Sequence, residues 1–315
     1  MNSWKNLKKP ILALAPMAGY TDPAFRIMCL KNGADIVYTE MISAEGLARQ
    51  NKKTLKMLEF LPGEKNVVVQ LFGTNPEAFG KAAEIINKMA TGSHRPVGAR
   101  DDIKPIVGID VNFGCPAKKV FHTGAGAALM DNKKLAREIV EEVLKNTKLP
   151  VSIKIRVRVK NTTAEEFIEY LKDLPIAMVM VHGRTLAQGF AGEINYEAIK
   201  NVKKLLPKAI VLGNGGINSP ADIKNMLEKT GCDGIGLARG VVGNPWLFSL
   251  KEKPEWPEIK KMMIEHAKLF LKQNEDLVPL RKHFVQYVKG LAGASELRQK
   301  LIKVEKIEEL KKALL

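Results

Sequence analysis

The chain has 315 residues, of which 45% are apolar and 27% are charged, as expected for a soluble globular protein with one large domain and an appendage. No apolar run is long enough to cross a bilayer, and the first residues lack the apolar core of a signal peptide, so we expect a cytoplasmic protein. Three scattered cysteines and five histidines without metal-binding spacing argue against a disulfide framework and against a bound metal.

The charge balance is strongly basic. The 50 Lys and Arg residues against 34 Asp and Glu residues give a formal net charge of +16. Such a surface attracts polyanions, and nucleic acid is the polyanion that we favour as a partner. The alternative is a lysine-rich surface that only keeps the protein in solution.

Short apolar segments recur along the chain, with amphipathic stretches between most of them. Asp22 followed by Pro23 predicts the start of a helix, and Asn75 predicts the cap of a helix that runs to Met89. Asp131 predicts the cap of a further helix that ends near Asn146. The apolar segments predict eight strands, at residues 11–15, 35–40, 67–71, 106–115, 151–155, 177–181, 209–212 and 233–237.

Eight buried strands that alternate with helices predict an α/β fold of the (β/α)8 or TIM-barrel type. A doubly wound sheet is the alternative, but no Gly-x-Gly-x-x-Gly motif opens a helix. Residues 251–257 contain two prolines and predict a linker between a barrel domain (1–250) and a small helical domain (258–315) of three or four helices. Three lysines near the end of this domain fit a solvated helix face or a polyanion site equally well: Lys300, Lys303 and Lys306.

Polar residues interrupt the apolar strands mostly at or near their ends, where a barrel carries its chemistry. Lys154 is the most informative of them, because a lysine inside Val-Ser-Ile-Lys-Ile needs an anion or an electron-rich ring to compensate its charge. Cys115 alone would be interpreted as a small buried hydrophobe, as most free cysteines are. The full set is Glu40, Gln70, Asn112, Cys115, Lys154, His182, Asn214 and Arg239.

Two glycine-containing loops follow the seventh and eighth strands, at residues 213–216 and 238–240. One such loop alone would indicate a tight turn. Two of them on the last two strands, with Arg239 in the second, predict a phosphate site made of backbone amides and an arginine. The residues therefore predict a barrel enzyme that holds a phosphorylated cofactor, with Lys154 and Cys115 beside it.

Five motifs then resemble one family. Ala-Pro-Met-Ala-Gly-Tyr-Thr-Asp at 15–22, Gln-Leu-Phe-Gly at 70–73 and Asn-Phe-Gly-Cys-Pro-Ala-Lys-Lys-Val at 112–120 are three of them. His-Gly-Arg-Thr at 182–185 and Gly-Asn-Gly-Gly-Ile at 213–217 complete the set. Together they resemble the tRNA-dihydrouridine synthases, over nearly the whole chain and most closely in the bacterial B-type branch. One departure is the segment 91–105, which looks like an insertion and which we expect to be a surface loop away from the chemistry.

The resemblance implies FMN as the cofactor, with NADPH or NADH as the reductant. It places Pro16, Met17 and Ala18 against the isoalloxazine ring, Gln70 on the polar edge of the ring, and Lys154 near its N1 and C2 carbonyl region. The remaining implied cofactor contacts are His182, near the ring, and a phosphate-binding set of Asn214, Gly215, Gly216, Ala238 and Arg239.

The resemblance also implies a reaction on tRNA. Reduced flavin N5 would pass a hydride to C6 of a flipped-out uracil, and Cys115 would donate a proton to C5, a role that suits a thiol because thiols are mostly protonated at neutral pH. We expect a monomer that needs no protein partner. The implied substrate contacts are Asn112 and Arg184 to the flipped nucleotide, Lys118 and Lys119 to neighbouring phosphates, and Arg281, Lys282 and His283 to the body of the tRNA.

Two other functions remain open at this point. One is a flavin barrel that acts on a free pyrimidine, as dihydroorotate dehydrogenase does, although the basic charge and the helical appendage favour a polymer. The other is an RNA-binding barrel without catalysis, which the presence of Cys115 and Lys154 argues against.

Overall fold

The computed structural model describes residues 3–92 and 105–315, and within them eight parallel strands close into a barrel. The barrel strands are β1 (Ile11–Leu14), β2 (Ile36–Ser43), β3 (Val67–Phe72), β4 (Ile106–Asn112), β5 (Val151–Arg156), β8 (Met178–His182), β9 (Ile210–Asn214) and β10 (Gly234–Leu237). Two short strands, β6 (Arg158–Val159) and β7 (Thr162–Thr163), form a separate antiparallel pair. The predicted (β/α)8 barrel is confirmed, because β10 pairs with β1 and leaves no open edge.

Helices cover the outside of the barrel and form the C-terminal region. Those associated with the barrel are α1 (Pro23–Lys31), α2 (Ala44–Ala48), α3 (Lys52–Lys56), α4 (Pro76–Thr91), α5 (Lys118–His122), α6 (Lys133–Lys145), α7 (Ala164–Leu171), α8 (Tyr196–Leu205) and α9 (Pro220–Thr230). Those of the C-terminal region are α10 (Trp256–Phe270), α11 (Arg281–Tyr287), α12 (Ala294–Leu301) and α13 (Ile307–Ala313). In the described residues, no helix is both long and apolar enough to span a membrane.

Most of the predicted helix starts are confirmed by side-chain caps. The Asp22 carboxylate accepts from Phe25 N at 3.0 Å, and the Asn75 amide oxygen accepts from Ala78 N at 3.0 Å. The predicted cap at Asp131 is wrong. The neighbouring Asn132 accepts from Leu135 N instead, and α6 begins one residue later, at Lys133.

Several boundaries also differ from the prediction. β2 ends at Ser43 rather than at residue 40, and α4 ends at Thr91 rather than at Met89. β4 ends at Asn112 rather than at Cys115, because the Asn112 side chain takes over the hydrogen bonding of the next amides. α10 begins at Trp256, inside the segment predicted as a linker. Residues 93–104 of the predicted insertion lie outside the described residues.

Two apolar cores hold these elements. One fills the barrel interior and includes Trp4, Tyr38 and Met180. The other lies between the strands and the helices and continues without interruption into the C-terminal region, where Phe284 and Tyr287 are fully buried. The C-terminal helices contact the barrel mainly through α1 and α10, and they therefore pack beside the loop that joins β1 to α1.

Candidate active site

A cavity of about 660 Å³ opens at the rim where the carboxyl ends of the parallel strands meet. This is the end of a (β/α)8 barrel at which active sites are found, and the volume suits a cofactor-sized ligand. The cavity brings together most of the residues singled out from the sequence, namely Pro16, Met17, Ala18, Gln70, Asn112, Cys115, Lys154, His182, Arg184, Asn214, Gly215, Gly216, Ala238 and Arg239.

Cys115 is partly exposed on the turn that follows β4, and its backbone is fixed on both sides. Asn112 Oδ1 accepts from Gly114 N at 3.0 Å and from Cys115 N at 2.9 Å. The Cys115 carbonyl accepts from Ala127 N at 3.2 Å. Gly126 has φ +62° here, and a Cβ on it would lie 3.1 Å from Cys115 Cβ. The thiol is thus presented to the cavity from a rigid turn.

A hydrogen-bonded series of buried polar side chains links this turn to the adjacent strands β3, β4 and β5. Because Asn112 Oδ1 faces two amides, its Nδ2 must donate, and it donates to Gln70 Oε1 at 2.9 Å. Gln70 Nε2 then donates to Asp110 at 2.7 Å, and Ser152 Oγ donates to the same carboxylate at 2.5 Å. Burial raises the pKa of Asp110 to about 6, against the two hydrogen bonds that lower it, so the group is mostly ionised at neutral pH.

Lys154 lies opposite Asn112 in the register of β4 and β5 and lines the cavity. Burial and the nearby Arg156 lower the pKa of its ammonium to about 8, whereas Asp110 and Cys115 act in the other direction. Within the described part of the chain, its Nζ has no hydrogen-bond or ion-pair partner. The ammonium is therefore available to a ligand in the cavity, and it is mostly protonated at neutral pH.

His182 stands among four cations. It pairs in register with Arg156 on one side and with Asn214 on the other. Burial, followed by the nearby charges of Lys154, Arg156, Arg184 and Arg239, lowers the pKa of its imidazole to about 2. His182 is consequently neutral at physiological pH and offers hydrogen bonds but no charge. The surrounding cations make the cavity attractive to an anion.

The loop after β9 forms one end of the cavity. Gly215 and Gly216 have φ values of +102° and +74°, and a Cβ on Gly215 would lie 2.5 Å from His182 Cδ2. A side chain is therefore excluded here, and a ligand can approach the backbone closely. Arg184 lies beside this loop, with Nη2 3.9 Å from the Cβ position of Gly216. Its buried Nη1 has no hydrogen-bond partner among the described residues.

Three residues that sequence reasoning missed also line the cavity: Tyr20, Arg156 and Phe190. Arg156 is 1% exposed and donates to the carbonyls of Gly114, Thr185 and Gly189, so it ties the Cys115 turn to the loop after β8. Phe190 is 56% exposed, and the Arg239 guanidinium lies 4.5 Å from its ring centre. The two-residue spacing from Lys154 within β5 could have revealed Arg156, but Tyr20 and Phe190 lie in loops without a periodic signal.

Five of the predicted substrate contacts are not among the residues that line the cavity, namely Lys118, Lys119, Arg281, Lys282 and His283. Lys118 and Lys119 are exposed at the start of α5, close to Cys115 in sequence. Arg281 is occupied inside the C-terminal region, where its guanidinium donates to the Val304 carbonyl at 2.7 Å and to Glu305 at 3.0 Å. The predicted contact of His283 with RNA is wrong, because its side chain is 0% exposed between the barrel and the C-terminal helices.

Lys282 differs from the other two C-terminal residues, because its ammonium lies near Tyr20, which lines the cavity. Its Nζ lies 5.1 Å from the centre of the Tyr20 ring and 3.3 Å from the Cβ position of Gly19. An RNA contact for Lys282, as for Lys118 and Arg281, stays a prediction.

A closed barrel with a cation-lined cavity at its carboxyl rim, and a thiol held on a rigid turn beside that cavity, defines a TIM-barrel enzyme. The family model described as dihydrouridine synthase matches residues 13–315. The chain belongs to this family, and it is accordingly an oxidoreductase.

Full-length relatives agree with this assignment. The chain is 33% identical over 318 residues to a probable tRNA-dihydrouridine synthase of Aquifex aeolicus, covering 98% of this chain and 96% of the relative. It is 34% identical over 304 residues to a probable tRNA-dihydrouridine synthase of Rickettsia bellii, covering 91% of this chain and 88% of the relative. The family suggested by the five sequence motifs is thereby confirmed.

The solved structures share the fold. Histamine dehydrogenase from Rhizobium sp. 4-9 superposes with a TM-score of 0.54 at 13% identity, over 82% of this chain and 48% of that chain. At this identity the similarity concerns the barrel architecture alone.

Proposed function

We propose that this protein reduces a uridine in tRNA to 5,6-dihydrouridine, with FMN as its cofactor and NADPH or NADH as the reductant. The observation that carries the proposal is the common cavity of Cys115, Lys154 and the Gly215–Gly216 loop at the rim of a dihydrouridine synthase barrel. The tRNA substrate is supported by the names of the relatives and by the net charge of +16.

The residues of the cavity fit a flavin mononucleotide. Its phosphate would meet the glycine loop, where Arg184 Nη1 is buried with no hydrogen-bond partner in residues 3–92 and 105–315, and Arg239 lies nearby. Its ring would lie along the residues after β1, Pro16, Met17 and Ala18, with the Lys154 ammonium facing it. The positive charge of Lys154 would stabilise negative charge on the reduced ring. When bound, the flavin supplies the hydride that reduces the base.

The chain's own residues would then orient the base and move one proton. The Cys115 thiol would donate its proton to C5 of the uracil, on the face opposite to the hydride. Asn112 would keep the thiol in place through the two amides of the turn, while its own Nδ2 is used by Gln70. Arg156 and Phe190 both line the cavity, and they are suited to a hydrogen bond and to stacking, respectively, with a flipped base.

The exposed basic residues would hold the RNA outside the cavity. Lys118 and Lys119 follow the Cys115 turn directly and are free to meet phosphates beside the flipped nucleotide. Lys282 would contact the RNA where the C-terminal region meets the mouth of the cavity. We also propose that the C-terminal region as a whole is the tRNA-binding part of the molecule and that the protein acts as a cytoplasmic monomer.

The test is direct. We expect the purified protein, or the protein reconstituted with FMN, to show flavin absorbance that NADPH or NADH bleaches. Mass spectrometry should then detect dihydrouridine in unmodified tRNA incubated with the reduced protein, and no product with free uracil or orotate. Failure to bind flavin, or turnover of a free pyrimidine but not of tRNA, would contradict the proposal.

A further inference from the structure

Two histidines are buried where the C-terminal helices meet the barrel. His266 on α10 and His283 on α11 are both 0% exposed, with ring centres 4.9 Å apart. Phe25 of α1 packs against both, at 5.7 Å from His266 and 4.7 Å from His283. Burial lowers the pKa of His266 to about 3 and that of His283 well below its ordinary value, so both rings are neutral.

Close packing does not explain why a side chain with two polar nitrogens occupies the position of His283. Among the described residues, neither its Nδ1 nor its Nε2 has a hydrogen-bond partner, whereas His266 lacks one only at Nε2, because its Nδ1 lies 3.2 Å from the Tyr287 hydroxyl. A buried nitrogen without a partner costs about 1–3 kcal/mol, and an apolar ring of the same shape would avoid that cost. A histidine at this position therefore calls for an explanation other than stability.

The ring of His283 touches the loop that forms one wall of the cavity. Its centre lies 5.2 Å from the ring centre of Tyr20, and its Nε2 lies 3.9 Å from Asp22 Oδ2. Tyr20 lines the cavity, and the Nζ of Lys282, the neighbour of His283 on α11, lies 5.1 Å from the centre of the same Tyr20 ring. A movement of His283 would accordingly move both groups at the mouth.

The distance between His283 and Asp22 is short enough for a hydrogen bond to form with little movement. An approach of about 1 Å would bring Nε2 within hydrogen-bond reach of the Asp22 carboxylate. Asp22 is itself anchored as the cap of α1, so the approach would draw α11 toward the loop. Arg26, Glu40 and Lys282 are the other charged groups near Asp22.

We propose that His283 is a positioning residue for the substrate: its Nε2–H donates to Asp22 in the substrate-bound protein and so holds Tyr20 and Lys282 at the mouth of the cavity. The C-terminal region thereby shapes the entrance for the target nucleotide in addition to any contact that it makes with the RNA. This inference rests on the proposed function where it names tRNA as the substrate. The effect of His283 on the positions of Tyr20 and Lys282 does not depend on the reaction.

Two substitutions separate the nitrogen from the ring. His283→Phe keeps the ring and removes Nε2, and His283→Gln keeps a donor in place of Nε2 and removes the ring. We expect His283→Phe to melt no lower than the wild type and to keep its flavin affinity and its rate of flavin reduction without tRNA. Its kcat/KM for tRNA should fall by about tenfold, whereas His283→Gln should stay within about threefold of the wild type.

A second measurement does not depend on turnover. Amide hydrogen exchange in residues 17–21 should be faster in His283→Phe than in the wild type and in His283→Gln, with tRNA present. Unchanged kcat/KM and unchanged exchange in His283→Phe would overturn the positioning role. If the wild type forms no dihydrouridine, the proposed function fails. The exchange comparison requires only that tRNA binds, and it then decides the role of His283.

A third variant covers the case in which neither His283 variant folds. Lys282 is partly exposed, and Lys282→Met should lower kcat/KM for tRNA without changing flavin reduction. Lys148→Met, at an exposed position just before β5 and hence on the side of the barrel opposite to the cavity, is the matched control and should have a smaller effect. Equal effects of the two substitutions would overturn the proposal.

Discussion

Cys115 is held by its backbone, and this leaves its thiol free to act on a substrate. Asn112 Oδ1 fixes the amide of Cys115, and the Ala127 amide fixes its carbonyl. Removing the thiol should therefore disturb neither the turn nor the cavity. The chemical role of Cys115 can be tested by a small substitution.

We predict that Cys115→Ala binds FMN like the wild type but forms dihydrouridine about 10²–10⁴ times more slowly, the range expected for loss of a general acid. Mass spectrometry of tRNA after a timed incubation measures the rate. Cys232→Ala, which removes a buried thiol outside the cavity, is the control and should keep its rate. Wild-type turnover by Cys115→Ala would refute the proton-donor role.

Lys154 gives the site a pH dependence. Its folded pKa of about 8 lies below the ordinary value of 10.5, because burial and Arg156 disfavour the charged form. The ammonium is therefore present below pH 8 and is lost as the pH rises through about 8. Any stabilisation of negative charge that it provides is lost over the same interval.

We predict that kcat/KM for tRNA declines as the pH rises through about 8 in the wild type. Lys154→Arg should retain activity to higher pH, because a guanidinium stays protonated there. Lys154→Met should be slower by about 10²-fold at every pH and should lack the decline. If kcat/KM of Lys154→Met still declined through about pH 8, the decline would be due to the titration of another group.

Among the elements, the loop after β9 is the one whose geometry depends most on glycine. Gly215 combines a positive φ with a close approach to His182, so two separate effects would accompany a side chain there. Gly231, the residue after α9, has φ +64° but no heavy atom near its Cβ position. Substitutions at Gly215 and Gly231 therefore distinguish the effect of backbone strain from the effect of a side chain that fills the cavity wall at Gly215.

We predict that Gly215→Ala weakens FMN binding by at least about tenfold, because the new Cβ displaces His182 or the loop from its place. Gly231→Ala should lower the free energy of unfolding by about 1–2 kcal/mol through backbone strain alone and leave the FMN affinity unchanged. Flavin fluorescence titration and denaturant unfolding measure the two quantities. Equal FMN affinities in the two variants would contradict the proposal that the loop after β9 binds the FMN phosphate.

The elements also show what the sequence could predict and where it could not decide. The eight barrel strands and the caps at Asp22 and Asn75 follow from local patterns that tertiary contacts do not override, whereas the short β6–β7 pair has no such pattern. Asp131 and Asn132 are both good caps, and only the backbone geometry selects Asn132. The predicted RNA contact of His283 is wrong because a basic run on an amphipathic helix does not reveal which of its members faces the core.

At the scale of the whole molecule, the net charge is +16. Among the basic residues, those at the rim are the ones placed to contact an RNA whose base enters the cavity. Lys118 and Lys119 lie on the rim side, because they follow the end of β4. Lys148 and Lys208 precede β5 and β9 and are exposed on the opposite side of the barrel. These two pairs carry equal charge on opposite faces.

We predict that replacing Lys118 and Lys119 with Gln weakens tRNA binding and makes it less dependent on salt. The slope of log affinity against log salt is negative, and its magnitude should fall by about 1 for each phosphate that the protein no longer neutralises. The same replacement at Lys148 and Lys208 should leave the slope near that of the wild type. Binding measured over a series of salt concentrations gives both slopes. Equal reductions of the slope for the two pairs would mean that the RNA does not approach from the rim.

The apolar core that runs from the barrel into the C-terminal helices bears on how the molecule comes apart. Phe25 and Met28 of α1 are fully buried in that core, together with Phe284 and Tyr287 of α11. Cutting the chain before α10 would uncover a wide apolar face on the barrel, with a strong tendency to aggregate. Heat and denaturant should accordingly melt both parts in one cooperative transition, and flavin binding and RNA binding should disappear together.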